Sequence, residues 1–203
     1  MKNLTFFLLL MIFACSACQP APDVNVAAPA SPEAYNPNTY RLFDIPGSDL
    51  KRAERQDSTG ALVESGILDG SIKTGTWVTY HTSTGMPWKT ISFANGKYNG
   101  PYFEYTLRGQ VNLIANYKDN QLHGFWGKYY FSRPEILANY NEGKLDGIYR
   151  KYFPNKNDAI QEEVNYVNGI IDGKYRFYNE DGLITLEYDY KNGKKVGGGI
   201  VNQ

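Results

Sequence analysis

Few side chains in this sequence have the type and spacing for catalysis. His81 and His123 are its two histidines, and neither stands in a spacing typical of a nucleophile and its base, although Ser83 is near His81. His123, Asp146 and Asp172 each precede a glycine and offer nitrogen and oxygen ligands. Equivalent residues of neighbouring hairpins should lie about 10 Å apart, two strand spacings, which is too far for shared ligation. We therefore predict no catalytic residues, no metal site, no cofactor and no enzymatic activity.

Pairs of neighbouring carboxylates suggest solvated positions. The pairs Glu162–Glu163 and Glu180–Asp181 suit strand and turn surfaces, and no glycine-rich loop has the strand-to-helix setting of a phosphate site. The formal net charge is zero and no basic block occurs. Because phosphate backbones require clustered Lys and Arg, we expect no nucleic-acid partner.

The two cysteines, Cys15 and Cys18, have a different chemistry. Residues 1–18 combine Lys2 with an apolar run from Leu4 to Ala14, which is typical of a secretory signal and is too short to span a bilayer. The end of this run resembles the lipobox of bacterial lipoproteins. Cys18 has the better small residues before it, and Cys15 is the alternative lipidation site. We expect a membrane-anchored protein of the bacterial cell envelope, facing the periplasm or the surface.

Residues 19–44 are rich in Pro, Ala, Asn and Ser. Such a stretch has too little apolar surface to order itself and predicts a flexible tether.

The rest of the chain is organised around one phrase, Gly-Lys-x-Asp-Gly-x-aromatic-x-x-Tyr, whose clearest copy runs from Gly143 to Tyr152. We call the second glycine of each copy the phrase glycine. It recurs at steps of 25, 24, 23, 26 and 24 residues. The phrase glycines are Gly75, Gly100, Gly124, Gly147, Gly173 and Gly197.

Aromatic residues keep register with the phrase. Two residues after the first five phrase glycines stand the +2 rings Trp77, Tyr102, Trp126, Tyr149 and Tyr175. Three residues further on stand the +5 tyrosines Tyr80, Tyr105, Tyr129, Tyr152 and Tyr178. Another ring lies seven residues before each of the last five phrase glycines: Phe93, Tyr117, Tyr140, Tyr166 and Tyr190.

Turn residues separate these aromatic runs. One set, four residues before a phrase glycine, is Gly96, Asn120, Gly143, Gly169 and Gly193. A second set, fifteen residues before, is Gly60, Gly85, Gly109, Ser132, Asp158 and Gly182. Strand-forming runs punctuated by Gly, Asn and Asp indicate hairpins. We predict an all-β fold: an elongated, twisted antiparallel meander of five to six hairpin repeats of roughly 24 residues, with ten to twelve strands.

The predicted repeat domain is 45–203. Residues 45–74 form a degenerate first unit, 75–196 hold five repeats, and 197–203 form a C-terminal cap. Terminal units of repeat arrays are expected to be atypical. The third and fourth repeats have Arg133–Pro134 and Pro154–Asp158 where the others have a mid-hairpin glycine, so their loops should differ in shape.

The phrase resembles the MORN repeat, in the bacterial variant of YwqK-type proteins, a group described as antitoxins. The matching cores are Gly96–Gly100, Asn120–Gly124, Gly143–Gly147 and, less closely, Gly169–Gly173. The resemblance implies the repeat-sheet fold. It also implies an alternative function, immunity against a secreted toxin, since an exported lipoprotein would not meet a cytosolic one.

The +2 ring and the +5 tyrosine are an odd number of residues apart, so a regular strand points them to opposite faces. Both sets could be core, or one face could be a docking surface for a protein, a glycan or lipid headgroups. The docking candidates are therefore all ten residues of the two sets. From the repeats and the anchor we expect a non-catalytic scaffold or binding module with a protein partner. The oligomeric state stays open, since such a sheet could pair by an edge or a face.

Overall fold

The computed structural model describes Pro32, residues 34–156 and residues 158–201. Within these residues one short 3-10 helix, Pro37–Thr39, precedes fifteen strands. The strands are β1 Arg41–Asp44, β2 Lys51–Gln56, β3 Leu62–Asp69, β4 Ile72–Tyr80, β5 Pro87–Ala94, β6 Lys97–Tyr105, β7 Val111–Lys118, β8 Gln121–Tyr130, β9 Arg133–Asn141, β10 Lys144–Leu145, β11 Gly147–Tyr152, β12 Ile160–Val167, β13 Ile170–Tyr178, β14 Ile184–Lys191 and β15 Lys194–Ile200.

All fifteen strands form one antiparallel sheet in sequence order, with the two-residue β10 paired only to β9. The prediction of a long antiparallel meander is confirmed. The strand count exceeds ten to twelve because of β1, β10 and β15, the last of which runs into the predicted C-terminal cap. A bulge separates β10 from β11, and β1 comes from residues that we assigned to the tether.

The turns on one edge, which we call the tight-turn rim, are two-residue hairpin turns. From the β5–β6 turn onward their central residues both have positive φ, as in Asn95 (50°) and Gly96 (74°), or Asp119 (49°) and Asn120 (69°). This is the primed turn geometry that asparagine and glycine favour. Each turn also touches the repeat before it, because the amide N–H of Gly96 donates to the carbonyl of Lys73 at 3.0 Å. Equivalent bonds, from Asn120 to Tyr98, Gly143 to Leu122, Gly169 to Leu145 and Gly193 to Ile171, recur in the next four repeats.

Each of the first five phrase glycines lies in a bulge within the sheet. Ile91 faces Tyr102 while Phe93 faces Tyr98, so two residues along β5 match four along β6. Gly100, inside this bulge, has a φ of 103°, a conformation that glycine adopts without strain. Because bulges bend a strand and increase its twist, a bulge in every repeat curls the sheet at regular intervals.

The bulges leave the +2 rings on one face, which we call the packed face. In the middle of the array alanines face these rings across the strands: Tyr102 faces Ala115, and Trp126 faces both Ala115 and Ala138. A large ring on one strand thus has room over a small residue on the next. The rings seven residues before the phrase glycines share this face, and Trp77 and Phe93, like Tyr102 and Tyr117, meet edge-on at 6.4 and 5.8 Å.

The N-terminal segment Tyr35–Tyr40 lies over this packed face, and we call it the strap. The ring of Tyr40 is buried and meets Trp77 edge-on at 5.4 Å. Its hydroxyl donates to Glu64 at 2.6 Å. The folded unit therefore includes Tyr35–Tyr40, residues that we assigned to the tether from composition, because two rings in a polar segment suffice to dock it.

Candidate docking site

The structure separates the ten predicted docking residues into two sets. The +2 rings belong to the core: Trp77 and Tyr102 are each 1 % exposed, Trp126 is 2 % and Tyr149 is 4 % exposed, and Tyr175 is partly buried against the same cluster. Burial removes the first four of these side chains from the accessible surface and leaves Tyr175 partly accessible.

The +5 tyrosines lie on the opposite face, which we call the open face, and each is about half-buried. Tyr80 shares a hydrogen bond of 3.1 Å with the Ser65 hydroxyl, and Tyr105 stacks on Phe103 at 6.2 Å. Partial burial raises the pKa of Tyr129 and of Tyr152. These rings thus form a row in which one side of each ring packs against neighbouring side chains and the other side is accessible.

A second row of side chains, which pair with one another across neighbouring strands, runs down the middle of the open face. It changes from apolar to charged along the array. In the first half its cross-strand partners are mostly apolar, including Val78, Phe103, Ile114 and Leu137. In the second half the same row continues as Arg150, Glu163, Arg176 and Glu187.

The charged half of this row is a continuous ion ladder. Arg150 Nε donates to Glu163 at 2.8 Å, and Arg176 Nη1 donates to the other oxygen of that carboxylate at 3.2 Å. Arg176 Nε donates in turn to Glu187 at 2.7 Å. The charges in this half are therefore mutually satisfied, whereas the first half presents apolar surface.

The edge opposite the tight turns, which we call the loop rim, carries the most exposed rings of the described residues. Tyr130 and Phe131 are 60 % and 55 % exposed, and their rings meet edge-on at 4.5 Å. They border a slot of about 280 Å³ together with Leu107, Arg108 and Tyr129. Tyr129 is a +5 tyrosine, so the slot continues into the tyrosine row.

The backbone at this slot departs from the other repeats. Phe131 (φ 48°) and Ser132 (φ 63°) make a two-residue turn where most repeats have a longer loop. In those longer loops the first residue accepts backbone N–H groups, as Asp57 and Asn179 do at 2.8 to 3.1 Å. The prediction that the loop of the third repeat differs in shape is thus confirmed, although its exposed ring pair was not foreseen.

A larger cleft, of about 470 Å³, lies between the strap and the packed face. Lys73 Nζ stands 2.5 Å from Glu64 Oε1 and 4.1 Å from the centroid of the Trp77 ring. The two side chains are only 8 % and 12 % exposed. Burial and the bond to Glu64 raise the pKa of Tyr40, in that order of importance. The cleft therefore contains an ion pair, Lys73–Glu64, that lies beneath the strap and has a structural role.

The residues considered as metal ligands cap turns instead. Asp146 accepts the backbone N–H of Asn168 at 3.1 Å, and Asp172 accepts that of Asn192 at 3.1 Å. His123 is part of the repeat and its Nδ1 is buried without a partner. Within the described ranges, no three His, Cys, Asp or Glu side chains are grouped so that they could hold a metal.

His81 likewise stands in a structural setting. Its Nε2 lies 3.4 Å from the carbonyl oxygen of Tyr105, and its ring lies 5.9 Å from that of Trp88.

The predicted signal segment and both lipidation candidates, Cys18 and Cys15, lie outside the described residues. In the part of the chain that the structure describes, no helix has the length and hydropathy of a transmembrane span.

Together the fold and the site define a class: a single-sheet repeat protein with one packed face and one open face that carries tyrosines. No protein-family model matches the chain, and no curated protein matches it significantly.

Proposed function

We propose that this chain is a non-catalytic docking module that holds a protein partner at the bacterial cell envelope, attached by a lipid on Cys18 or, alternatively, on Cys15. The observation that carries the proposal is the difference between the two faces of the sheet: one buries its rings and the other presents them. One ring set is buried at 4 % exposure or less in its first four members, while the second set faces outward.

The open face has the composition of a protein-binding surface. Tyrosine, tryptophan and arginine dominate binding hot spots, since their rigid side chains bring large contact areas at a small entropy cost. Phe125, Tyr130 and Phe131 add exposed apolar area beside the tyrosine row. The packed face supports this surface as a rigid platform, because its rings interlock from strand to strand.

Photo-cross-linking in intact cells tests docking. A photoreactive phenylalanine analogue replaces Tyr105 or Tyr129 on the open face, and Glu142, an exposed residue of the tight-turn rim, is the control position. We expect one discrete protein adduct from both open-face positions and none from Glu142. An absence of adducts at both open-face positions, or equal adducts at all three, would reject the proposal.

The anchor has its own test. Changing both Cys15 and Cys18 to serine should release the protein from membranes, whereas C15S alone should leave it attached. Membrane retention of the double variant would rule out a lipid anchor at either cysteine.

A further inference from the structure

We propose that the slot between Leu107 and the Tyr130–Phe131 pair binds an acidic segment of a partner protein, which inserts one apolar side chain between flanking carboxylates. This inference rests on the proposed docking function and specifies the chemistry of the partner.

The first argument is backbone strain. Among the described non-glycine residues with positive φ, Phe131 is the one aromatic; the others are Asn, Asp, Ser and Glu. An L-residue in this region costs on the order of 1–2 kcal/mol, and bulky side chains are rare there. Phe131 is also exposed, so burial of its ring does not offset that strain. Backbone outliers of this kind cluster at binding sites.

The second argument is size and shape. The slot of about 280 Å³ lies just below the roughly 300–1,000 Å³ of small-molecule pockets, so it suits a side chain better than a free ligand. Leu107 and the ring pair form its apolar walls, and Tyr129 continues it onto the open face. A bound segment can therefore insert a side chain here and run on along the tyrosine row.

The third argument is charge. Arg108 lines the slot and Arg133 follows its turn. Neither forms a salt bridge within the described residues, whereas Arg52, Arg55, Arg150 and Arg176 pair with carboxylates. The loop segments 81–88, 106–110 and 130–133 contain no Asp or Glu. A partner segment with carboxylates beside its apolar side chain supplies the ion-pair partners that these arginines lack. Planar guanidinium groups bind carboxylates in bidentate fashion.

The test is a selection of phage-displayed random peptides on the purified domain, followed by affinity measurements on the enriched sequences. We expect a consensus with Phe, Trp or Leu flanked by Asp or Glu. The double variant Arg108→Gln with Arg133→Gln should weaken these peptides about fivefold or more and reduce the salt dependence of binding. The control, Lys118→Gln with Lys144→Gln, removes the same charge from the tight-turn rim and should change affinity less than twofold.

Phe131→Asn separates binding from folding. Asparagine tolerates positive φ, so this variant keeps the turn and should not lower the unfolding midpoint, yet it should weaken the peptides about tenfold. The inference is overturned if the consensus is neutral or basic, if binding survives both slot variants, or if no peptide prefers the wild type to Phe131→Asn. The cross-linking at Tyr105 reports separately on docking, so a partner bound elsewhere on the open face would refute the slot and leave the docking function standing.

Discussion

Trp77 lies across Gly66 so closely that its Cδ2 is 2.2 Å from where a Cβ on Gly66 would stand. Gly66 has an ordinary strand backbone, without the positive φ of the turn glycines. It is a glycine because the indole needs its space. The same pairing of a large ring with a small residue continues along the sheet, where Tyr102 faces Ala115 and Trp126 faces Ala138.

Gly66→Ala should therefore destabilise the domain by about 1–3 kcal/mol, the usual cost of overpacking a core. Chemical denaturation measures the change. Gly199 is the matched control: it is also in a strand, lacks a positive φ and has no heavy atom within 4 Å of its virtual Cβ. Gly199→Ala should leave stability almost unchanged, and equal losses in both variants would contradict the packing explanation.

Asn120 takes the place that glycine holds in the other tight turns. Its φ is 69°, and its Oδ1 accepts the backbone N–H of Tyr98 at 2.7 Å. Asn120→Ala should lose about 1–3 kcal/mol, since alanine adds backbone strain to the loss of that bond. Asn120→Gly removes the bond without the strain and should lose less. If alanine proved the milder substitution in thermal unfolding, the role assigned to the turn would be wrong.

The Lys73–Glu64 pair should behave as a buried charge pair. Glu64→Gln leaves Lys73 without its carboxylate under the strap and should destabilise by about 3–5 kcal/mol. Combining it with Lys73→Met removes the stranded charge, so the double variant should recover much of that loss. Additive losses in the double-mutant cycle would show that the two side chains do not depend on each other.

Alkaline pH should destabilise the array. Burial, with smaller contributions from neighbouring Tyr and Glu side chains, raises the pKa of Tyr140 and of Tyr149 to about 12, from an ordinary value of 10.0. The folded state therefore keeps these protons at a pH where the unfolded chain loses them. The stabilisation is complete below pH 10 and disappears as the pH rises towards 12. Denaturation midpoints measured across this window should fall, and a flat profile would refute the burial of these hydroxyls.

Much of the fold could be predicted because the repeat places its turn residues and aromatic residues at regular intervals. Glycine and asparagine spacing fixes the turns, as the positive φ values of Gly96 and Asn120 confirm. The odd separation of the +2 ring and the +5 tyrosine correctly predicts that they occupy opposite faces. Which face packs could not be predicted, because that depends on small cross-strand neighbours such as Gly66 and Ala115, which a single strand does not reveal.

The slot was missed for a different reason. Tyr130 and Phe131 directly follow the +5 tyrosine Tyr129, and this run of three rings was visible in the sequence. Its meaning depends on the neighbouring loop, however, since Leu107 and Arg108 reach the ring pair only once adjacent hairpins are in register. The docking of the strap was hidden likewise, because Tyr35 and Tyr40 belong to a stretch whose composition favours disorder.

Tyrosine footprinting tests the docking account most directly. The +5 tyrosines Tyr105, Tyr129 and Tyr152 should react with a tyrosine-modifying reagent in the purified domain and be protected in intact cells, while the exposed Tyr130 reports on the slot in the same experiment. Tyr102 and Tyr149, buried in the packed face, should resist the reagent in both samples. Equal modification of the +5 tyrosines in purified protein and in cells would contradict a docked partner on the open face.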